Sequence, residues 1–274
     1  MKIAVTGYKG EVGQRLINLG YEPLECDVTN EVVVSKAIAK SRPDIIVHLA
    51  GKSDVDFCED KKNQEAVIQS NFRGSGIVFK QAYAYNAKVV YISSDHIFSG
   101  RWFGSYLENS KPNPKNYYGT LKLASEAMSK VYPNVHIVRT STLFWGNRWI
   151  VQNPLLALAR EEKVYAPNFM LRSFMHIDHF VEQLNNYCLN INDNPPKVLH
   201  LSGSKTVSWY KFLVNYAKAL KLDYTLIKPR YWEFSDDVIK APRPHRAGLD
   251  TDLSRRLGYR QYSYIDGIKH AIQL

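Results

Sequence analysis

Short runs that are apolar on both faces alternate with helical stretches through roughly the first 140 residues, and few architectures accept that rhythm. Lys2–Thr6, Glu22–Cys26, Asp44–Leu49, Lys88–Ser93 and His136–Arg139 read as strands. Glu11–Leu19, Val32–Lys40, a long stretch over Gln64–Asn86 and Lys115–Val131 read as helices, with Thr29 or Asn30 near the cap of the second. A strand without a polar face must be covered on both sides, which calls for a parallel sheet with helices above and below. Right-handed crossovers then give an α/β, doubly wound parallel sheet of Rossmann type, whose ligands sit beyond the carboxyl ends of its strands. After residue 142 the rhythm changes: proline and aromatic residues become frequent, as in Ala166-Pro167 and Ala241-Pro-Arg-Pro244. The expected division is 1–142 plus about 172–202 for the sheet domain, and 143–171 plus about 203–274 for a smaller α/β lobe.

Charge and cysteine usage exclude several classes. The 36 basic against 26 acidic side chains give +10, but they are scattered and no run reaches five, so no nucleic-acid partner is expected. The longest apolar runs, such as Asp44-Ile-Ile-Val-His-Leu-Ala50, are strand-sized, so no membrane span is expected. Cys26, Cys58 and Cys188 lie far apart without metal-ligand spacing and read as reduced thiols. The opening Met1-Lys-Ile-Ala-Val-Thr6 reads as a strand rather than a cleavable leader, which makes a cytoplasmic location the expectation.

Two constellations carry chemistry. Thr6-Gly7-Tyr-Lys-Gly10-Glu-Val-Gly13 follows the first strand and enters a helix. One glycine makes the tight turn, one lets the backbone approach a pyrophosphate, and one allows close helix–sheet packing. The helix N-terminus adds free N–H groups and partial positive charge. The turn therefore points to a dinucleotide held by Gly7, Tyr8, Lys9, Gly10, Glu11 and Val12. Asp27, 20 residues beyond Gly7, ends the second strand with Val28 beside it; it suits ribose hydroxyls, or else caps the next helix. Its charge favours NAD, whereas Lys9 would attract the extra phosphate of NADP, so both cofactors stay open with NAD preferred. The second constellation joins Val90-Tyr-Ile-Ser-Ser94, at a strand end, to Tyr118-Gly-Thr-Leu-Lys122 on a helix. Positions i and i+4 share a face, so Tyr118 and Lys122 project together. An ammonium beside a phenol favours the ionised form and improves it as a proton donor and acceptor near neutral pH. Ser94 would hydrogen-bond the carbonyl oxygen being protonated.

At these residues the sequence resembles the extended short-chain dehydrogenase/reductase superfamily, and within it the dTDP-4-dehydrorhamnose reductases and their sugar-nucleotide-modifying relatives. The resemblance spans nearly the whole chain. It includes Ser53-Asp-Val-Asp-Phe-Cys-Glu59, Asn71, Ser93-Ser-Asp-His-Ile-Phe98, Arg139-Thr-Ser141, Ser208-Trp-Tyr-Lys-Phe212 and Arg243-Pro244 with Leu249-Asp250. It implies reduction of a keto group on a nucleotide-linked deoxysugar, with Ser94 as hydrogen-bond donor, Tyr118 as general acid and Lys122 on the nicotinamide ribose. It places Leu49, Ala50, Gly51, Lys52 and Asn71 beside the cofactor. It places Asp54, Val55, Asp95 and His96 beside the substrate, while Trp145, as an aromatic, reads either as lining a base or sugar pocket or as core packing. Arg172, in Arg172-Ser-Phe-Met-His-Ile-Asp178, and Arg243 are expected on the substrate diphosphate, for which a guanidinium fork is suited. His96 stands where those reductases carry tyrosine and adds an imidazole acid/base group. No metal is expected. Epimerisation and a non-catalytic nucleotide-binding regulatory subunit are the alternative readings, and a homodimer is the implied assembly.

Overall fold

The computed structural model of the chain describes residues 1–101, 104–193, 195–231 and 241–273; residues 232–240 and 274 of the expected second lobe lie outside the described residues. The first half runs β1 (Ile3–Thr6), α1 (Glu11–Asn18), β2 (Glu22–Pro23), α2 (Glu31–Ser41), β3 (Ile45–His48), α3 (Val55–Glu59), α4 (Gln64–Val67), α5 (Gly74–Ala84), β4 (Lys88–Ser94), α6 (Tyr117–Met128) and β5 (Val135–Thr140). There follow β6 (Leu143–Phe144), α7 (Trp149–Ala159), β7 (Val164–Pro167), β8 (Leu171–Arg172), β9 (Met175–His176), α8 (Ile177–Leu189) and β10 (Val198–His200). The chain ends with β11 (Val207–Ser208), α9 (Trp209–Ala219), β12 (Ile227–Arg230), α10 (Asp252–Arg256) and α11 (Tyr264–Gln273).

Six strands form one parallel sheet in the order β10-β5-β4-β3-β1-β2, as the both-face apolar runs require. β1, β3 and β5 are buried along their whole length. One hydrophobic cluster on the sheet includes Leu16, Phe180, Leu184 and Tyr187, together with Tyr259 and Tyr262 from late in the chain. The other includes Val34, Ile38, Val78, Phe79 and Tyr91. A separate cluster gathers Phe144, Phe174 and Phe212, the last two stacked at 4.2 Å, with α9 and α11 around them. None of the described helices is long and apolar enough to cross a membrane.

Two elements differ from expectation, each for a local reason. The second strand stops at Pro23 rather than reaching Cys26: proline offers no N–H to the ladder, and only Leu24 N, bonded to Val5 O at 2.9 Å, continues it. The long helix over 64–86 carries a wide π turn at Ile68–Arg73 between α4 and α5. Within that turn the Asn71 carbonyl accepts two hydroxyls, from Ser75 at 2.7 Å and Ser125 at 3.0 Å. The Asn71 side chain meanwhile grips Lys52, accepting from its N–H at 2.7 Å and donating to its carbonyl at 2.8 Å. The irregular turn therefore pins the loop that follows β3, at the carboxyl edge of the sheet.

Candidate active site

The glycine turn builds one end of a cleft of about 520 Å³ at that edge. Gly7 adopts φ +69°, and a Cβ there would lie 2.7 Å from Ala50 N; a Cβ on Gly13 would lie 2.5 Å from Tyr8 Cα. Only hydrogen fits at either place. Gly10 N closes the turn on Gly7 O at 3.0 Å, and the first bond of α1 runs from Gln14 N to Gly10 O. The N–H groups of Glu11, Val12 and Gly13 thus have no helical acceptor, and Gly10 puts no side-chain cap over them. Lys9, Leu49, Ala50 and Gly51 complete this end. Thr6 Oγ1 accepts from Ala50 N at 3.3 Å, so its own proton goes to His48 Nδ1 at 2.7 Å; His48 Nε2–H then donates to Ser75 Oγ at 3.1 Å. This relay ties the ends of β1 and β3 to the π turn.

Ser94, Tyr118 and Lys122 meet in the middle of the cleft. Ser94 ends β4, its Oγ donating to Asp95 Oδ1 at 3.1 Å and accepting from His96 N at 3.2 Å. Helix α6 is held by two caps: Asn116 Oδ1 accepts from Gly119 N at 2.8 Å, and Glu59 from α3 accepts from Tyr117 N at 2.9 Å. Gly119 lies so close to the His96 carbonyl that any side chain would collide with it. That contact lays the Tyr118 ring edge-on against His96, centroids 5.6 Å apart at 80°. Lys122 Nζ donates to Ile92 O at 2.8 Å and lies 4.7 Å from the Tyr91 ring and 5.8 Å from that of Tyr118.

The electrostatics add one group to the expected set. Burial pushes the Tyr118 phenol up, while hydrogen bonding to Ser94 and the charge of Arg148 pull it down. Arg148 is thus a second cation near the phenol besides Lys122, whose ammonium also donates to the Ile92 carbonyl. Burial also pushes Lys122 down to about 8, with Glu126 opposing.

Other expected residues fall elsewhere. Arg172 is 2% exposed, donates to Leu171 O at 2.8 Å and pairs with Asp95 at 3.6 Å behind the cleft wall. Arg243 forms a fork on Asp56, at 3.0 and 2.9 Å. Neither lines the cleft. Asp54 caps α3, accepting from the N–H groups of Asp56 and Phe57, both at 3.0 Å. Asp27 is exposed and lies off the cleft lining; its carboxylate accepts from Thr29 N at 2.9 Å and Thr29 Oγ1 at 2.8 Å, which keeps it below the usual carboxylate range. Asn30, not Asp27, caps α2. Tyr8 packs against the sheet core, and Val28 is buried beneath Gly74. Val55, Asp95, His96 and Trp145 do line the cleft. So do Thr140, Ser141 and Thr142 at the end of β5, and Arg148 before α7, which sequence reasoning missed. The polar run at a strand's carboxyl end was a signal for the first three; Arg148 belongs to no motif.

The family model described as RmlD substrate binding domain matches residues 1–274. dTDP-4-dehydrorhamnose reductase of Escherichia coli (strain K12) is 27% identical, over 82% of this chain and 77% of that protein. Methionine adenosyltransferase 2 subunit beta of Bos taurus is 27% identical, over 84% of this chain and 70% of that protein. A crystal structure of dTDP-4-dehydrorhamnose reductase from Bacillus anthracis in complex with NADP superposes with a TM-score of 0.86 at 25% identity, covering 100% of this chain and 99% of that one.

Proposed function

The chain belongs to the RmlD substrate-binding-domain family, and from that premise we propose that it is an NAD(P)H-dependent reductase of a keto group on a nucleotide-linked deoxysugar. What carries the reading is the meeting of Ser94, Tyr118 and Lys122 in one cleft with a glycine turn whose helix N-terminus is uncapped. The residues fit a dinucleotide: a Cβ on Gly10 would come no nearer than 3.4 Å to Gly7 O, so the space in front of the α1 N–H groups is open to a phosphate. Gly7, Gly10, Glu11 and Val12 would hold the pyrophosphate, with Ala50 and Gly51 alongside it and Lys122 on the nicotinamide ribose. A reduced nicotinamide, when bound there, supplies the hydride.

The chain's own residues do the rest. Tyr118 donates its phenolic proton to the keto oxygen and is left as phenolate, while the Ser94 hydroxyl hydrogen-bonds that oxygen. The positive charges of Lys122 and Arg148 near that ring favour the phenolate. The Ser94 hydroxyl, which donates to Asp95 in this structure, turns its proton to the keto oxygen when substrate binds; Asp95 is itself held by Ser141 Oγ at 2.7 Å and by Arg172. Orientation and proton delivery are the enzyme's contribution. Tyr118→Phe should lower turnover by about 10²- to 10⁴-fold with NADH binding unchanged; undiminished turnover would remove Tyr118 from the reaction. The reductant is NADH or NADPH; the acidic Asp27 after the second strand favours NADH by sequence position although it lies off the cleft lining, and comparing kcat/KM for the two checks it.

Two alternatives have separate signatures. A reductase consumes one reduced nicotinamide per product, whereas an epimerase returns its hydride, so nicotinamide absorbance during turnover separates them. The similarity to a methionine adenosyltransferase subunit supports a regulatory reading. That reading requires a stoichiometric enzyme partner and no reduction of any keto-sugar nucleotide.

A further inference from the structure

Arg148 lines the cleft whereas Arg139, Arg172 and Arg243 do not, and the partners of the four set it further apart. Arg139 is bound to Glu126 by two bonds of 2.9 and 2.7 Å, Arg172 to Asp95 and the Leu171 carbonyl, and Arg243 to Asp56. Arg148 lines the cleft, and among the described residues no carboxylate or carbonyl accepts from its guanidinium. Its only partner there is the face of Trp145, 5.0 Å from the guanidinium carbon to the ring centroid. An aromatic ring offers no lone pair, so this contact gives the five N–H donors no oxygen or nitrogen acceptor. A guanidinium partly withdrawn from water without an acceptor is costly, and burial lowers its pKa to about 10. Arg148 also precedes the first residue of the 11-residue helix α7, with no side-chain cap at that end. The helix dipole therefore adds positive potential where the guanidinium already sits.

We propose that Arg148, and neither Arg172 nor Arg243, grips an oxyanion of the substrate through its guanidinium donors, with Trp145 packed beside it. The inference rests on the nucleotide-sugar reading above and names the residue that anchors that substrate. A planar fork matches two oxygens of a phosphate or a carboxylate equally well, so the anion is the diphosphate bridge or an acid group on the sugar.

The test measures dissociation constants of dTDP, UDP, UDP-glucose and UDP-glucuronate by calorimetry, for the full-length protein and for Arg148→Gln and Arg148→Lys. If the diphosphate is the anion, Arg148→Gln weakens dTDP or UDP by about 10- to 100-fold, the loss expected for charge-assisted hydrogen bonds. Arg148→Lys, which keeps the charge without the fork, should fall between. If the anion is on the sugar, UDP binds both proteins alike and only the preference for UDP-glucuronate over UDP-glucose disappears. NADH affinity, followed by fluorescence, should stay unchanged in both variants. Equal affinity of the Arg148→Gln variant and the parent for all four ligands overturns the assignment, as does a loss confined to NADH. Failure of the parent protein to bind any of the four overturns instead the nucleotide-sugar reading on which it rests.

Discussion

The side-chain amide of Asn116 donates to His96 Nδ1 at 2.9 Å, and its orientation is fixed from both ends: Oδ1 accepts from Gly119 N at 2.8 Å and Nδ2 also donates to Pro242 O at 2.8 Å. The imidazole nitrogen facing Asn116 is therefore an acceptor, and the proton of neutral His96 sits on Nε2. Burial, which is the largest effect, lowers its pKa to about 4. His96 lines the cleft beside Tyr118 as a fixed neutral donor. This corrects the sequence-level expectation of an added acid/base group.

A fixed neutral donor leaves no histidine limb in the pH profile of the reaction between pH 5 and 8, where an ordinary imidazole would titrate. Nitrogen NMR of the side chain should report Nδ1 unprotonated and Nε2 protonated throughout that range. His96→Phe should raise the substrate KM by about 10-fold, the loss of one hydrogen bond, while leaving NADH affinity alone. A His96 resonance that titrates near 6.5 would contradict the assignment.

Buried histidines also set the acid stability of the fold. Burial pushes His48 and His200 to about 3 and His96 to about 4. In the unfolded chain each protonates near 6.5, so between 6.5 and these lower values the unfolded state holds more protons than the folded one. The histidine contribution is then complete above about 6.5 and falls as pH drops toward 4, each group contributing up to about 1.4 kcal/mol per pH unit. Urea midpoints taken from pH 7 to 4.5 should fall steeply, and His48→Asn should reduce the slope. A flat profile would mean that these imidazoles protonate without unfolding.

Much of this was legible in the sequence because it rests on local patterns. Both-face apolar runs give the parallel sheet, and the spacing of Gly7, Gly10 and Gly13 gives the turn. The four-residue step from Tyr118 to Lys122 gives a shared helix face. What was not legible depends on pairings between distant segments. Arg172 looks available in its motif, yet the fold brings Asp95, 77 positions earlier, against it. Arg243 likewise meets Asp56, 187 positions away. The π turn around Asn71 has no sequence period of its own. Its irregularity is stabilised by hydroxyls from Ser75 and from Ser125, the latter 54 positions on. Arg148 is distinguished by the partners it lacks, which no spacing rule reveals.

Lys122 gives the alkaline side of the profile. Its ammonium donates to Ile92 O, burial lowers its pKa to about 8, and Glu126, one helical turn later, pulls it upward. The role proposed for Lys122 on the cofactor needs the charged form. With NADH as the varied substrate, kcat/KM reports groups of the free enzyme and should decline as pH rises through about 8. Glu126→Gln removes the main upward influence and should move that decline toward neutrality, whereas Lys122→Arg stays charged and should abolish it. The stability effect has the opposite sign. Because the folded pKa lies below the ordinary 10.5, the unfolded chain holds more protons between about 8 and 10.5, and stability rises with pH across that window. Activity and stability should therefore diverge above pH 8. An activity limb that keeps its position in Glu126→Gln would assign the titration to a group other than Lys122.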